Sequence, residues 1–126
     1  MPQYRKGMNR MEEERANAPT ERTHNTILIV DDDEMNRAIL ENIFAAHYQV
    51  EEADNGRTGL EKILDGADRL CAVLLDVVMP EMDGLQVLRA LEERGIPEQI
   101  PIFLITAEAR DATMREAYEL GVMDVI

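Results

Sequence analysis

The stretch ILIVDDD at residues 27–33 decides the fold of this chain. Its four leading apolar residues are mostly β-branched, which is typical of a strand covered on both faces in a parallel sheet. Helical spacing follows over residues 35–46, where the apolar positions are Ile39, Leu40, Ile43 and Phe44. Asp33 stands where a helix N-cap is expected. A buried strand followed directly by an amphipathic helix is one unit of an α/β fold.

The same alternation of strand and helix continues along the sequence. Further strands are predicted to begin at Tyr48 and to cover residues 71–75, 102–105 and 122–126. Further helices are predicted over residues 56–64, 83–93 and 110–120, followed by Gly66, Gly95 and Gly121. In the second helix we expect Leu60, Ile63 and Leu64 to face inward. The pattern predicts a doubly wound, five-stranded parallel sheet with helices on both faces.

Length and composition are consistent with one domain preceded by a tail. The chain has 126 residues, and 45% of them are hydrophobic, which is enough for a single core. Residues 1–26 contain no strand pattern and are expected to form a tail or linker. Tyr4, Met8 and Met11 recur at helical spacing in it, so this tail could be partly helical. Residues 27–126 are expected to form the domain.

The charge of the chain argues against nucleic-acid binding. Its formal net charge is −13, and residues 27–126 alone carry 22 acidic and 8 basic residues. Such a surface repels phosphates, so we expect no direct contact with nucleic acid. The sequence has no apolar run long enough to span a membrane and no signal-peptide pattern. Its single cysteine, Cys71, is typical of a reducing compartment, so a cytoplasmic location is expected.

Oxygen-bearing side chains end three of the predicted strands. Asp31 and Asp32 end the first, Asp76 ends the third and Thr106 ends the fourth. Ligands in parallel α/β sheets bind beyond the carboxyl ends of the strands, so these side chains are expected to converge. Three converging carboxylates repel one another unless a cation compensates them, and Mg²⁺ prefers a few carboxylates plus waters. The sequence therefore predicts a magnesium site suited to phosphoryl transfer, with a carboxylate as nucleophile.

Three motifs in this order resemble the response-regulator receiver family of two-component signalling. The stretch ILIVDDD at residues 27–33 resembles its first strand with the acidic pair. LLDVVMPEMDG at residues 74–84 resembles its phosphoacceptor strand and the following loop, and PIFLITAEA at residues 101–109 resembles its fourth strand. The resemblance covers residues 27–126. It implies a flavodoxin-like receiver fold with strand order 2-1-3-4-5, and a histidine kinase or phosphotransfer protein as phosphodonor.

The resemblance also implies a role for each matching residue. Asp76 matches the phosphorylated aspartate, Asp32 the direct Mg²⁺ ligand and Asp31 the carboxylate that usually acts through water. Val78 stands where a backbone carbonyl completes the metal shell. Thr106 matches the hydroxyl residue that responds to the phosphoryl group. Glu108 and Val78 stand where side chains tune the lifetime of the phosphoryl group.

The sequence departs from the family pattern near its end. The family lysine that pairs with the phosphoryl group would fall just past Ile126, and the only lysines, Lys6 and Lys62, do not match it. We therefore expect a truncated receiver without its last helix, with any output domain lying beyond residue 126. Val125 stands where many members carry a switch aromatic, so coupling of Thr106 to such a ring is in doubt.

A missing last helix would leave apolar sheet surface uncovered. Two ways of covering it remain open. A second copy of the chain could pack there, or the tail could fold as a helix through Tyr4, Met8 and Met11. We favour self-association, because the three apolar residues of the tail offer too little surface to replace a whole helix.

Two other functions are compatible with parts of the sequence. Asp31 and Asp33, with one residue between them after an apolar strand, resemble the nucleophile motif of haloacid-dehalogenase-like phosphatases. That family needs a further basic residue and a downstream acidic pair. The other alternative is a receiver-like binding module that is never phosphorylated, although its acidic pair, Asp76 and Thr106 would then be unused.

Overall fold

A computed structural model of the chain describes residues 24–106 and 111–126. It contains strands β1 (Thr26–Val30), β2 (Gln49–Ala53), β3 (Leu70–Asp76), β4 (Ile102–Ile105) and β5 (Asp124–Val125). Its helices are α1 (Glu34–Phe44), α2 (Gly56–Asp65), α3 (Gly84–Glu92) and α4 (Asp111–Glu119), with a 3₁₀ turn at Ile96–Glu98. The predicted alternation is confirmed, and the β4 bounds agree with the prediction. Most of the tail that was predicted to be partly helical, residues 1–23, lies outside the described part of the chain.

All five strands are parallel, in the order β2-β1-β3-β4-β5. The strand order agrees with the receiver-like topology. Strand β1 pairs with β2 on one side and β3 on the other, and it is buried along its whole length. The chain reverses its direction of winding after β2, and this reversal opens a crevice at the carboxyl ends of β1 and β3.

The two faces of the sheet differ in how well they are covered. One face carries α2, α3 and α4, and its core includes Leu28, Val30, Ile63, Leu88 and Leu104. On the other face α1 is the one described helix, and the fully buried hydrophobic residues there are Ile27, Ile29 and Leu74. Of the four helices in the described part of the chain, three therefore lie on one side.

Exposed apolar side chains mark this poorly covered face. Leu40 and Phe44 of α1 pack on the sheet, whereas Ile39 is 53% exposed and Ile43 is 59% exposed. Helices lie on both faces, as predicted, but one face carries a single helix of the described residues. The α1 face, as we call the surface formed by α1 and the adjoining sheet, has Ile39, Ile43, Cys71, Ala72, Phe103 and Ile105 along it.

The inward-facing side of α2 differs from the prediction at one residue. Ile63 is fully buried and Leu60 packs against the core, but Leu64 is exposed. The prediction for Leu64 was wrong because Gly59, close against Val30, shifts the buried stripe of α2 toward Gly56, Gly59 and Ile63. Within the described residues, no helix is long and apolar enough to cross a bilayer.

Candidate functional site

Three carboxylates converge at the carboxyl ends of β1 and β3. Val30 pairs with Leu75 in the parallel register, so Asp31 and Asp76 follow side by side. One carboxylate oxygen from each of Asp31, Asp32 and Asp76 lies within 4.8 Å of the other two. Asp31 is 2% exposed, Asp76 is half-buried and Asp32 is exposed. The structure thus brings together the three aspartates that the strand ends predicted.

Asp31 is held at three of its polar groups. Its backbone N–H donates to the carbonyl of Ala53 at 3.1 Å, which extends the pairing of β1 with β2. Its carboxylate Oδ1 accepts from the backbone N–H of Asp33 at 2.9 Å. Its carbonyl accepts from Nη1 of Arg37 at 2.7 Å. These bonds fix both the backbone and the side chain of the most buried carboxylate of the site.

Asp33 has the capping role predicted for it. Its Oδ1 accepts from the backbone N–H groups of Met35 at 2.9 Å and Asn36 at 3.3 Å. The cap satisfies N–H groups that the first turn of a helix leaves unpaired. Asp33 therefore starts α1 immediately beyond the acidic pair, and the turn between β1 and α1 has little freedom.

The ionisation of Asp76 is perturbed by its surroundings. Burial, together with the charges of Asp31 and, less strongly, Asp32, raises the pKa of Asp76 to about 6. Hydrogen bonds from the backbone N–H groups of Val78 and Val77 act in the opposite direction. A desolvated carboxylate beside two others is the arrangement that a bound cation would relieve.

A tight loop connects β3 to α3 beneath Asp76. The N–H of Gly84 donates to the carbonyl of Val77 at 2.8 Å, and Asp83 caps α3 through a reciprocal pair of bonds with Gln86. A Cβ on Gly84 would collide with the carbonyl of Asp76 and lie 2.9 Å from the Cα of Val77. Glycine is required there because α3 begins in contact with the backbone that carries Asp76.

A cavity of about 540 Å³ opens above the three carboxylates. Thr106, which follows β4, and Val78, whose side chain is largely exposed, both line it. Sequence reasoning missed the cavity residues contributed by α1, namely Asn36, Ile39 and Leu40. A clue was available, because the first turns of a helix that follows a strand end must lie beside that end.

Other residues singled out from the sequence lie elsewhere. Glu108 and Lys6 are outside the described residues. Nζ of Lys62 donates to the carbonyl of Glu52 at 2.9 Å, at the far side of β2 from Asp76. Val125 lies in the edge strand β5.

The arrangement has the chemistry of a divalent-cation site. Within residues 24–106 and 111–126, no lysine, arginine or histidine forms an ion pair with Asp31, Asp32 or Asp76. Three carboxylates that open on one cavity match the oxygen donors that Mg²⁺ prefers. The half-buried Asp76 is also accessible enough to act as a nucleophile.

Comparison with known proteins identifies the family. Residues 27–126 match the family model of the response regulator receiver domain. The chain is 35% identical over 103 residues to the transcriptional regulatory protein SrrA of Staphylococcus aureus, covering 81% of the chain and 41% of that protein. It is also 35% identical over 101 residues to a probable cyclic di-GMP phosphodiesterase of Vibrio cholerae, covering 80% of the chain and 22% of that protein. The chain thus spans less than half the length of these relatives.

Solved structures show the same fold. The chemotaxis protein CheY4 of Vibrio cholerae superposes with a TM-score of 0.72 at 27% identity, covering 82% of this chain and 85% of that one. The parallel sheet and the acidic edge define a signalling domain of two-component systems. The chain belongs to the response regulator receiver family, and it is a phosphoacceptor domain.

Proposed function

We propose that Asp76 is the residue of this receiver domain that accepts the phosphoryl group, with Mg²⁺ bound beside it. The observation that carries the proposal is the convergence of Asp31, Asp32 and Asp76 within 4.8 Å at the mouth of one cavity. Asp76 ends β3 at the centre of this edge, and its carboxylate is positioned by N–H groups of the following loop.

The residues present fit a hard divalent cation. Asp32 and Asp76 would be direct ligands, Asp31 would act through water, and the backbone carbonyl of Val78 would complete the protein's share. When bound, Mg²⁺ neutralises the charge that gathers between the carboxylates and an incoming phosphoryl group. The burial of Asp31 supports a role in setting the charge of the site while the exposed Asp32 remains available for ligation.

The transfer itself requires a carboxylate nucleophile. An oxygen of Asp76 attacks the phosphorus of a phosphohistidine, and an O–P bond forms as the P–N bond to the donor imidazole breaks. The electron pair of that bond stays on the leaving nitrogen, which takes up a proton. The product is an acyl phosphate on Asp76, and the hydroxyl of Thr106, which lines the same cavity, is placed to donate to a phosphoryl oxygen.

Membership of the receiver family also supports a proposal for the partners and the regulation of this chain. A histidine kinase or phosphotransfer protein would supply the phosphoryl group in the cytoplasm, and Glu108 and Val78 would tune its lifetime. Phosphorylation would then alter an output domain or another partner. The exposed Ile39 and Ile43 of the α1 face support a further contact, self-association with a second copy of the chain.

Labelling with a small phosphodonor tests the assignment of Asp76. Incubation with acetyl phosphate and Mg²⁺ should add one phosphoryl group, stable in acid and labile in base, which intact-mass spectrometry detects. Asp76→Asn should not be labelled, because an amide is a poor nucleophile. Asp33→Asn is the matched control, since asparagine preserves the helix cap, and it should be labelled like the parent.

Two results would contradict the proposal. Labelling of Asp76→Asn at the parent's rate would show that another residue is the acceptor. An unlabelled parent that still binds a partner would favour the phosphorylation-independent binding module, and steady hydrolysis of phosphate esters would favour the phosphatase.

A further inference from the structure

We infer that Arg37 is a positioning residue for the metal site, acting through the backbone of Asp31 rather than through its charge. The inference rests on the proposed function, because it concerns the affinity for Mg²⁺. Arg37 lies on the second turn of α1, and its side chain is 15% exposed. Although it is the basic residue that contacts the acidic edge in the described structure, it forms no bond with the carboxylate groups of that edge.

Arg37 joins the ends of two strands. Its Nη1 donates to the carbonyl of Asp31 at 2.7 Å, and its Nε donates to Oε1 of Glu52 at 3.0 Å. Glu52 pairs with Ile29 in the sheet, so this carboxylate is fixed by β2. The planar guanidinium can satisfy both acceptors at once, which an ammonium group cannot do in the same geometry. The pair therefore ties the β1–α1 turn to the adjacent strand.

The contact acts on the part of Asp31 that sets the direction of both acidic side chains. The carbonyl of Asp31 belongs to the peptide group that links Asp31 to Asp32. Rotation of that peptide would turn the exposed Asp32 away from Asp76. With the other polar groups of Asp31 bonded to Ala53 and Asp33, the bond from Arg37 removes the remaining freedom of this peptide. Substitution of residues that hydrogen-bond to metal ligands without touching the metal commonly lowers metal affinity about 10- to 100-fold.

Glu52 is also bound from the opposite face of the sheet. Its carbonyl accepts from Nζ of Lys62 on α2 at 2.9 Å. The acidic edge is therefore supported from α1 and, through β2, from α2. This support explains why the mostly buried Arg37 side chain lies next to an acidic cavity without forming an ion pair with any of its carboxylates.

The direction in which the loss of Arg37 changes the Kd for Mg²⁺ distinguishes a positioning role from a purely electrostatic one. A cation near the site repels Mg²⁺, so removal of a purely electrostatic Arg37 would tighten Mg²⁺ binding. Removal of a positioning Arg37 would weaken it. Mg²⁺ alone is the probe, titrated into the full chain while the backbone amide NMR signals of residues 31–33 and 76–78 are followed.

Arg37→Met is the principal variant, because methionine retains much of the apolar stem. We expect the Kd for Mg²⁺ to rise about tenfold, the lower end of the range for lost supporting contacts. Arg37→Lys keeps the charge but not the paired geometry, so its Kd should also rise. Glu52→Gln should cause a smaller rise, since an amide oxygen can still accept from Arg37. The acetyl phosphate labelling rate of Arg37→Met should recover at saturating Mg²⁺.

A second ion pair on the same strand provides the control. Arg69 binds Glu51 through two bonds of 2.7 and 2.9 Å, near the start of β3 and away from the acidic edge. Arg69→Met should lower the melting temperature by a similar amount and leave the Kd for Mg²⁺ unchanged. A Kd for Arg37→Met that is equal to or below the parent's would overturn the inference. Absence of Mg²⁺-dependent shifts in the parent would instead refute the proposed metal site itself.

Discussion

Asp31 and Asp76 lie side by side across the β1–β3 pair, and the charge of Asp31 helps to raise the pKa of Asp76. Asp31 is almost fully buried and Asp76 half-buried, with carboxylate oxygens within 4.8 Å. Their proximity follows from strand register, since Val30 pairs with Leu75. The sheet therefore forces like charges together, and a bound cation would relieve their repulsion.

Removal of the Asp76 charge should stabilise the protein when no metal is present. The pKa of Asp76 is raised from 3.8 to about 6 in the folded state. Between these values the folded chain holds a proton that the unfolded chain has released, so stability falls as pH rises through this window. Asp76→Asn has no such decline. After allowance for solvent at a half-buried group, its gain over the parent should increase by about 1–2 kcal/mol from pH 4 to pH 7.

Urea unfolding in EDTA at both pH values measures this gain. Asp68→Asn is the control, because Asp68 is exposed and precedes β3 at the opposite edge of the sheet. It measures what the removal of an exposed carboxylate away from the site does under the same conditions. A difference for Asp76→Asn that is the same at pH 4 and pH 7 would contradict the assigned perturbation.

Mg²⁺ should stabilise the parent through Asp32. A ligand at ten times its Kd adds about 1.4 kcal/mol to the free energy of unfolding, which corresponds to a rise in Tm of about 5 °C or more for a domain of this size. Asp32→Asn should lose most of this rise, whereas Asp33→Asn should keep it because asparagine retains the cap. Thermal denaturation with and without millimolar Mg²⁺ measures the effect. Equal stabilisation of the parent and Asp32→Asn would place the cation elsewhere.

The sequence predicted the carboxylates well because each ends an apolar strand, and parallel topology gathers such ends at one edge. The same local patterns gave the bounds of β4 and the cap at Asp33. Leu64 was assigned to the wrong side of α2, because spacing alone does not fix how a helix is rotated on its sheet. Arg37 was missed because its contacts with Asp31 and Glu52 join separate elements and leave no local pattern.

Gly84→Ala should damage both stability and phosphoryl transfer. The added methyl would collide with the backbone of Asp76 and Val77, so either α3 or the Asp76 loop must shift. Such overpacking commonly costs about 1–3 kcal/mol. We expect a lower Tm and slower acetyl phosphate labelling, because the displaced backbone carries the nucleophile.

Gly95→Ala is the control that distinguishes a loss of stability from a displacement of the nucleophile. Gly95 has a φ of 69° and open space around its Cα, so alanine there strains the backbone without touching the site. It should lower the Tm by an amount that corresponds to about 1 kcal/mol and leave the labelling rate unchanged. Labelling of Gly84→Ala at the parent's rate would show that the close approach of α3 to Asp76 does not position the nucleophile.

Self-association through the α1 face is expected for residues 1–126. Ile39 and Ile43 are more than half exposed beside the partly covered Phe103 and Ile105, and burial of such surface favours association. Sedimentation velocity should show an average mass that rises with concentration, and salt should strengthen it because the copies carry like charges.

Substitution by lysine tests which surface associates. Ile43→Lys places a charge on the α1 face and should keep the chain monomeric at concentrations where the parent associates. Leu64→Lys, an equally drastic change at an exposed position of α2 on the opposite side of the sheet, should associate like the parent. A parent that stays monomeric at all concentrations would contradict partner coverage. Deletion of residues 1–20 would then test the tail, because loss of a covering tail would make that monomer aggregate, whereas loss of an uninvolved tail would not.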